Sequence, residues 1–323
     1  MVTGIGLMSG GLDSMLAARL LMDQGIEVVG ISFITPFFGS ANAEKAAEKI
    51  GFRLLIRDIT EIHLEVVKNP PSGYGANMNP CIDCHALMVK EAGKIMEREG
   101  WDFVFTGEVL NERPMSQTRA ALNRVANLSG SRGLLLRPLS ALHLAETIPE
   151  KEGKVDRKRL LDIQGRSRKP QMGLAVKYGI GDYPTPAGGC LLTDQSFSRR
   201  LRDLFENGPE RGIPALELLK IGRHFRLHPG VKVIVGRNHD ENCRLLDLQG
   251  EDDVIFRTVG IPGPVALLSG EPSEADVQLA ASLCARYCKP GEEPVRITLE
   301  GRGRSTEIEA ASVCEAEISP LRI

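Results

Sequence analysis

The apolar positions follow two rhythms, and the change between them divides the chain. In the first half, short apolar runs alternate with helical periods. Thr3–Met8 reads as a short buried strand. Asp13–Gln24 carries Met15, Leu16, Leu20 and Leu21 at helical spacing, and Gly25 ends it. Glu27–Phe33 is a β-branched, apolar second strand, Ala41–Ile50 an Ala/Glu/Lys-rich helix stopped by Gly51, and Arg53–Asp58 a third strand. A Pro, Gly and Asn-rich loop over 69–80 precedes a helix from Asp83 to Glu99. A strand at Phe103–Thr106, a helix at Ser116–Leu128 and a strand at Leu134–Arg137 follow. Strands separated by helices of this length predict an α/β domain with a parallel sheet covered on both faces.

From Leu139 to Asn207 the pattern reads as helical, with a basic stretch at its start (Lys151, Lys154, Arg157, Lys158, Arg159). After Gly208-Pro209 the texture changes. Val231–Val235, Cys243–Leu248, Asp253–Arg257 and Val265–Leu268 read as short strands between turns. Ser273 and Asp276 form a capping-box pattern opening a helix to Cys288, and Val295–Leu299 and Thr306–Ala310 read as final strands. The expected organisation is a first domain over 1–207, including the helical basic segment 139–207, and a smaller α+β domain over 214–323.

With 323 residues, 42% hydrophobic and 25% charged, the chain has the balance of a folded protein of two domains. A net charge of −2 and a pI near 6.4 exclude a uniformly basic nucleic-acid binder and leave room for local basic patches. No apolar run approaches a membrane span, and the N-terminus shows no secretory pattern, so no membrane association and a cytoplasmic setting are expected. Seven cysteines, an odd number in a chain large enough to bury its own core, fit a reducing compartment rather than a disulfide framework.

The strongest chemical signal is Ser9-Gly10-Gly11-Leu12-Asp13-Ser14, directly after the first strand and opening the first helix. Two glycines permit close backbone approach, and a helix N-terminus offers unpaired N–H groups to an anion. Ser9 and Ser14 add hydroxyl donors. Asp13 is awkward beside a phosphate unless it orders the loop or helps hold Mg²⁺. A Walker A loop is excluded by the missing lysine, and a dinucleotide fingerprint by Ser9 at its third glycine position. The hexapeptide resembles the PP-loop of the ATP pyrophosphatases, Ser-Gly-Gly-x-Asp-Ser. The resemblance implies an ATP site at the C-terminal ends of the strands, formed by Met8, the hexapeptide, Ile31, Ser32 and Phe33. Thr106-Gly107 matches a further small-residue element. Many members carry histidine next, where this chain has Glu108.

Asn79-Pro80-Cys81-Ile82-Asp83-Cys84-His85 starts a helix, where cysteine pKa values fall, so thiolates are expected. Cys190, in Pro184-Thr185-Pro186-Ala187-Gly188-Gly189-Cys190, sits in a loop able to reach the same place. The residues leave three readings open: a zinc site completed by His85, a redox or persulfide relay, or a three-cysteine [4Fe–4S] cluster with one open iron. PP-loop, Asn-Pro-Cys-x-x-Cys and a later lone cysteine together resemble the tRNA-thiolating branch (ThiI-like and MnmA-like) over about residues 1–205. That resemblance implies Cys81, Cys84 and Cys190 as cluster ligands and, with Asp13, as catalytic residues. Cys284 and Cys288 read as core, Cys243 and Cys314 as buried in or near strands, and His63 and His143 as surface or satisfied core positions.

Arg113 lies on the functional edge of such a sheet, and Arg166, Arg168 and Lys169 lie in a basic, Gly/Pro-bounded loop. These are the expected RNA-contacting groups. In the C-terminal part, Gly236-Arg237-Asn238 with Asn242, and the turn Gly260-Ile261-Pro262-Gly263-Pro264, resemble the NFACT-family RNA-binding domain. The resemblance implies that Arg237, Asn238 and Asn242 face RNA. The expected activity is ATP-dependent tRNA thiolation, with ATP, Mg²⁺ and a [4Fe–4S] cluster (zinc or no metal as alternatives). The expected partners are tRNA and a sulfur donor, either sulfide or a persulfide-carrying protein, and a homodimer is a further candidate. The competing readings are a PP-loop ligase or amide-forming enzyme acting on a small molecule, and a non-catalytic ATP-sensing RNA-binding adaptor.

Overall fold

The computed structural model describes residues 1–185, 189–208, 212–289, 293–301 and 303–323. The chain divides into two compact units, Met1–Thr193 and Asp194–Ile323.

The first unit runs β1 (Thr3–Leu7), α1 (Leu12–Met22), β2 (Glu27–Ile34), α2 (Ala41–Ile50), β3 (Arg53–Asp58), α3 (Thr60–Lys68), α4 (Cys81–Glu99), β4 (Phe103–Thr106), α5 (Arg119–Leu128), β5 (Leu135–Leu136), α6 (Ile148–Lys151) and α7 (Lys169–Lys177). The sheet is parallel with strand order β3-β2-β1-β4-β5. The order reverses at β1, so the loops after β1 and β4 flank a crevice at the strand C-termini, where open α/β sheets bind ligands. Both faces are buried. Ile5, Ile31 and Phe33 pack under α4 with Ala86, Val89 and Ala92. Phe103 and Phe105 pack on the α1 side with Leu16 and Leu20. Small residues on β1 make that second layer possible: a Cβ on Gly6 would stand 2.3 Å from the Phe105 ring.

The second unit contains α8 (Gln195–Asn207), α9 (Gly212–Leu218), β6 (Arg223–His228), β7 (Val231–Val235), α10 (His239–Asp247), β8 (Val254–Thr258), β9 (Val265–Ser269), α11 (Glu274–Arg286), β10 (Val295–Gly301), β11 (Arg304–Ala310) and α12 (Glu315–Ile318). Its sheet is antiparallel, ordered β11-β10-β8-β9-β7-β6. Alternation on β7 sends Val233 and Val235 to a core shared with α11 and Ile234 to a second core shared with Leu245 of α10. The Ser273/Asp276 capping box opens α11 as the pattern implied.

Three expectations are corrected. The division falls at Thr193/Asp194 rather than between 207 and 214. Asp203 of α8 binds Arg226 of β6 through two hydrogen bonds (2.8 and 2.7 Å) and Lys232 of β7 (3.0 Å), which ties α8 to the second unit. Cys243–Leu248 lies largely in helix α10 and is not a strand, because Asn238 caps the helix and places Glu241 and Leu245 inward at helical spacing. Over 139–193 the chain is mostly short turns around α6 and α7 rather than continuous helix. Among the described residues no helix is long and apolar enough to cross a membrane.

Candidate functional site

The loop after β1 is held on three sides. Its start is fixed by the Met8 N–H donating to the Ile31 carbonyl (2.8 Å). Gly10 adopts φ 73° and approaches the first turn of α2 so closely that a Cβ would lie 2.2 Å from the Asn42 backbone. Gly107, just past β4, is equally tight: its Cβ would stand 2.5 Å from the Ser14 nitrogen and 2.6 Å from the Asp13 carbonyl carbon. Within the loop, Ser14 Oγ donates to the Gly11 carbonyl (2.8 Å) and Ser9 Oγ accepts from the Gly11 N–H (3.3 Å). The hexapeptide is therefore a preshaped backbone cradle at the start of α1. Leu12 contributes only backbone to it, since its side chain is in the core, and Ile31 and Phe33 are likewise given to the core under α4. Thr106 Oγ1 donates to Glu108 (3.0 Å).

Beside the cradle lie polar groups without satisfied partners. Asp13 Oδ1, Arg168 Nε and both amide atoms of Gln171 are buried and make no hydrogen bond among the described residues. Arg168 reaches toward Asp13 (4.0 Å) and Glu112 (3.6 Å), both too long for hydrogen bonds. Burial raises the Asp13 carboxyl above its ordinary value, opposed by the charges of Arg168 and Arg113. Burial and the nearby Asp13 raise Glu112. A buried carboxylate oxygen without a donor, at the end of a phosphate cradle, suits a cation that binds with phosphate. Arg168 thus sits at this edge. Arg166 in the same loop, Lys169 at the start of α7, and Arg113 nearby, are exposed.

The cysteines gather next to this edge. Cys81 is the first residue of α4 and is contacted by the Asn79 and Ser116 side chains. Cys84 is buried, and its Sγ lies 3.2 Å from His63 Nε2, which projects from α3. His63 is wholly buried between the Phe37 and Phe38 rings (centroids 5.7 and 5.3 Å away). The segment carrying Cys190 is fastened by the Leu191 N–H to the Phe37 carbonyl (3.0 Å) and by Asn77 Nδ2 to the Thr193 carbonyl (2.7 Å). Positions 186–188 of that loop lie outside the described residues. The Cys84 thiol responds to both Cys190 and Cys81, so the three sulfurs share one neighbourhood. The expected thiolates are not found. Burial pushes the Cys84 thiol well above its ordinary value, Cys190 to about 11, and Cys81 upward despite the charge of Arg113. Desolvation outweighs the helix terminus here. Burial also lowers His63 to about 4, so it is neutral. Among the described residues no three His, Cys, Asp or Glu side chains are already arranged to hold a metal ion.

His85, a candidate fourth zinc ligand in the sequence, is engaged elsewhere. Its Nδ1 lies 3.0 Å from Glu108 Oε1. Glu108 is 5% exposed and also accepts from Arg137 Nε (2.9 Å). Burial alone would raise this carboxyl, but the Arg137 charge and the His85 contact hold it far below the usual carboxylate range. Glu108 thus links Thr106, beside the PP-loop, to His85, beside Cys84. Sequence reasoning missed His63, Arg137, Gln171 and this use of Glu108. Only the amphipathic period of 60–68, with Val67 and His63 on one buried face, offered a signal.

Comparison with known proteins agrees with this architecture. Residues 2–149 match the family described as thiamine biosynthesis protein (ThiI). The matched residues include the Ser9–Ser14 hexapeptide and all five strands of the parallel sheet. Residues 222–321 match the NFACT protein RNA binding domain. A tRNA-specific 2-thiouridylase MnmA from Sulfurimonas denitrificans is 35% identical over 113 residues, 32% of this chain and 33% of that protein. A probable tRNA sulfurtransferase from Thermoanaerobacter sp. strain X514 is 31% identical over 151 residues, 44% of this chain and 38% of that protein. A solved 4-thiouridine synthetase–RNA complex with bound ATP is 21% identical, with a TM-score of 0.37 over 57% of this chain and 54% of that one. The chain spans about a third to two-fifths of the length of these two curated relatives.

Within the NFACT-type domain, two of the three residues expected to face RNA have structural work. Asn238 Oδ1 accepts from the Glu241 N–H (2.9 Å) and caps α10. Asn242 Oδ1 accepts from the Val265 N–H (3.1 Å) and joins α10 to β9. Arg237 is ion-paired with Glu241, with its side chain still 46% exposed.

Proposed function

We propose that the protein is an ATP-dependent tRNA sulfurtransferase in which the PP-loop of a ThiI-family domain and the three cysteines form one reaction site. The observation that supports this most is their connection through Glu108, which accepts from Thr106 Oγ1 (3.0 Å), next to the Gly107 packed on Asp13 and Ser14, and lies 3.0 Å from Nδ1 of His85, the residue after Cys84. In the proposed reaction, a nucleobase carbonyl oxygen attacks the α-phosphorus of ATP. The bond to the bridging oxygen breaks and pyrophosphate leaves toward the Ser9–Ser14 cradle, whose N–H groups and hydroxyls stabilise its charge. Sulfide then attacks the adenylated carbon, and the carbon–oxygen bond breaks to release AMP. Asp13, a largely buried carboxylate at the end of the cradle, would hold Mg²⁺, which would supply charge neutralisation at the phosphates. Arg168, poised between two carboxylates without a full hydrogen bond to either, is free to turn to phosphate.

A [4Fe–4S] cluster would be held by Cys81, Cys84 and Cys190 and would offer an open iron for sulfide. The donor set fits in kind, three thiols with His85 engaged by Glu108 and His63 against the Cys84 sulfur, although among the described residues the thiols are not arranged as a finished cage. His63 holds the Cys84 sulfur, and the surrounding apolar rings keep water from it. The NFACT-type domain would supply RNA affinity.

Asp13→Ala tests the adenylation half: tRNA-dependent pyrophosphate release is expected to disappear, and retained release would reject the assignment. Anaerobic purification with iron and sulfide assays tests the sulfur half. About four of each per chain, lost in Cys190→Ala, is the expected result. A protein that stays iron-free after reconstitution would reject the cluster and leave a persulfide relay or a zinc site.

A further inference from the structure

Gln171 occupies the first turn of α7, beyond the residues that match the ThiI family, and is 0% exposed. Its amide has two donor hydrogens and two acceptor lone pairs, and none of them is used among the described residues. A buried amide left in this state costs free energy that an apolar residue of the same size would not. The amide lies beside Asp13, and its contact lowers that carboxyl's pKa, although no full hydrogen bond forms. Two further buried atoms at the same place lack partners, and they are complementary. Asp13 Oδ1 needs a donor, and Arg168 Nε–H needs an acceptor. An amide offers one of each.

We propose that Gln171 is a positioning residue of the nucleotide site. With ATP–Mg²⁺ bound, its NH₂ donates to Asp13 Oδ1 and its carbonyl accepts from Arg168 Nε–H. The Asp13 carboxylate and the Arg168 guanidinium are then held in place, where they would serve the metal and the phosphates. The proposal rests on the reading that the PP-loop binds ATP. It extends the nucleotide site to α7 and gives part of the basic 165–171 loop to phosphate rather than to RNA.

The experiment uses the full-length chain and two readouts, the thermal unfolding midpoint without nucleotide and calorimetric titration with ATP–Mg²⁺. Wild type, Gln171→Met and Asp13→Asn are compared. Gln171→Met is expected to unfold at or above the wild-type midpoint without nucleotide, because it removes unpaired polar atoms from a buried position. It is expected to bind ATP–Mg²⁺ about tenfold or more weakly, the scale of a hydrogen bond to a charged group. Affinity within twofold of wild type overturns the proposal. A lowered midpoint or a failure to fold also overturns it, since the amide would then be a structural partner of the empty protein. Wild type that binds no ATP–Mg²⁺ removes the PP-loop reading and the proposal together. Binding lost in Asp13→Asn and kept in Gln171→Met removes the proposal alone.

Discussion

Replacing Arg137 with Met probes the buried carboxylate that joins the two halves of the site. Arg137 and Glu108 are 6% and 5% exposed, and Arg137 also donates to the Leu122 carbonyl (3.1 Å). Methionine keeps much of the aliphatic volume and leaves the Glu108 charge buried with only Thr106 and His85 beside it. Breaking a buried pair in this way costs about 3–5 kcal/mol. Removing the orphaned charge as well, in Arg137→Met with Glu108→Gln, is expected to return the protein to within about 2 kcal/mol of wild type. The pH dependence has a definite sign. In wild type the folded Glu108 pKa lies well below its ordinary 4.5, so its contribution is present above that value and lost as pH falls below it. In the variant, burial without the guanidinium raises the folded pKa above 4.5. The carboxylate then destabilises the fold at neutral pH and stops doing so as it protonates. The gap between wild type and variant should therefore be widest near neutral pH and narrow below about pH 5. Urea unfolding followed by tryptophan fluorescence measures it for the first unit alone, because the single tryptophan, Trp101, lies there. A gap that does not change with pH, or a double variant no more stable than the single one, would refute the argument.

Three other variants have outcomes that follow from the geometry. Gly107→Ala drives a methyl group into the Asp13–Ser14 backbone. It should lower tRNA-dependent pyrophosphate release about a hundredfold while costing about 1–3 kcal/mol of stability in the same urea assay. In the NFACT-type domain, Arg237→Ala should reduce the slope of log RNA affinity against log salt by about one. Asn242→Ala should leave that slope unchanged and cost about 1 kcal/mol in unfolding, because its oxygen serves Val265.

The strands and helices that surround the PP-loop were legible because period and punctuation coincide there. β3 and β4 match their sequence readings residue for residue, and Gly51 and Gly100 end α2 and α4 in the left-handed conformation. The hexapeptide was legible for the same reason, as both motif and context lie in consecutive residues. What was not legible depends on contacts between distant positions. His63 met Cys84 only through the packing of α3 on α4, and Arg137 met Glu108 only through the pairing of β4 with β5. The thiolate expectation failed because a helix terminus is visible in sequence and the surrounding desolvation is not. Strand β6 was hidden by its basic residues, which look like surface until Asp203 is seen to neutralise Arg226. The same local bias made Cys243–Leu248 look extended.

Cys84 and Cys190 reach one neighbourhood from positions roughly a hundred residues apart in the chain. Any species that joined these two sulfurs would act as a tether on the unfolded polypeptide, whatever its chemistry. Closing a loop of about a hundred residues removes enough chain entropy to add about 4–5 kcal/mol to the resistance of the first unit to unfolding. The thiols are therefore positioned to record their own history as mechanical robustness. Protein isolated with its sulfurs bridged and protein isolated with them free would share a fold and differ in lifetime under protease or denaturant.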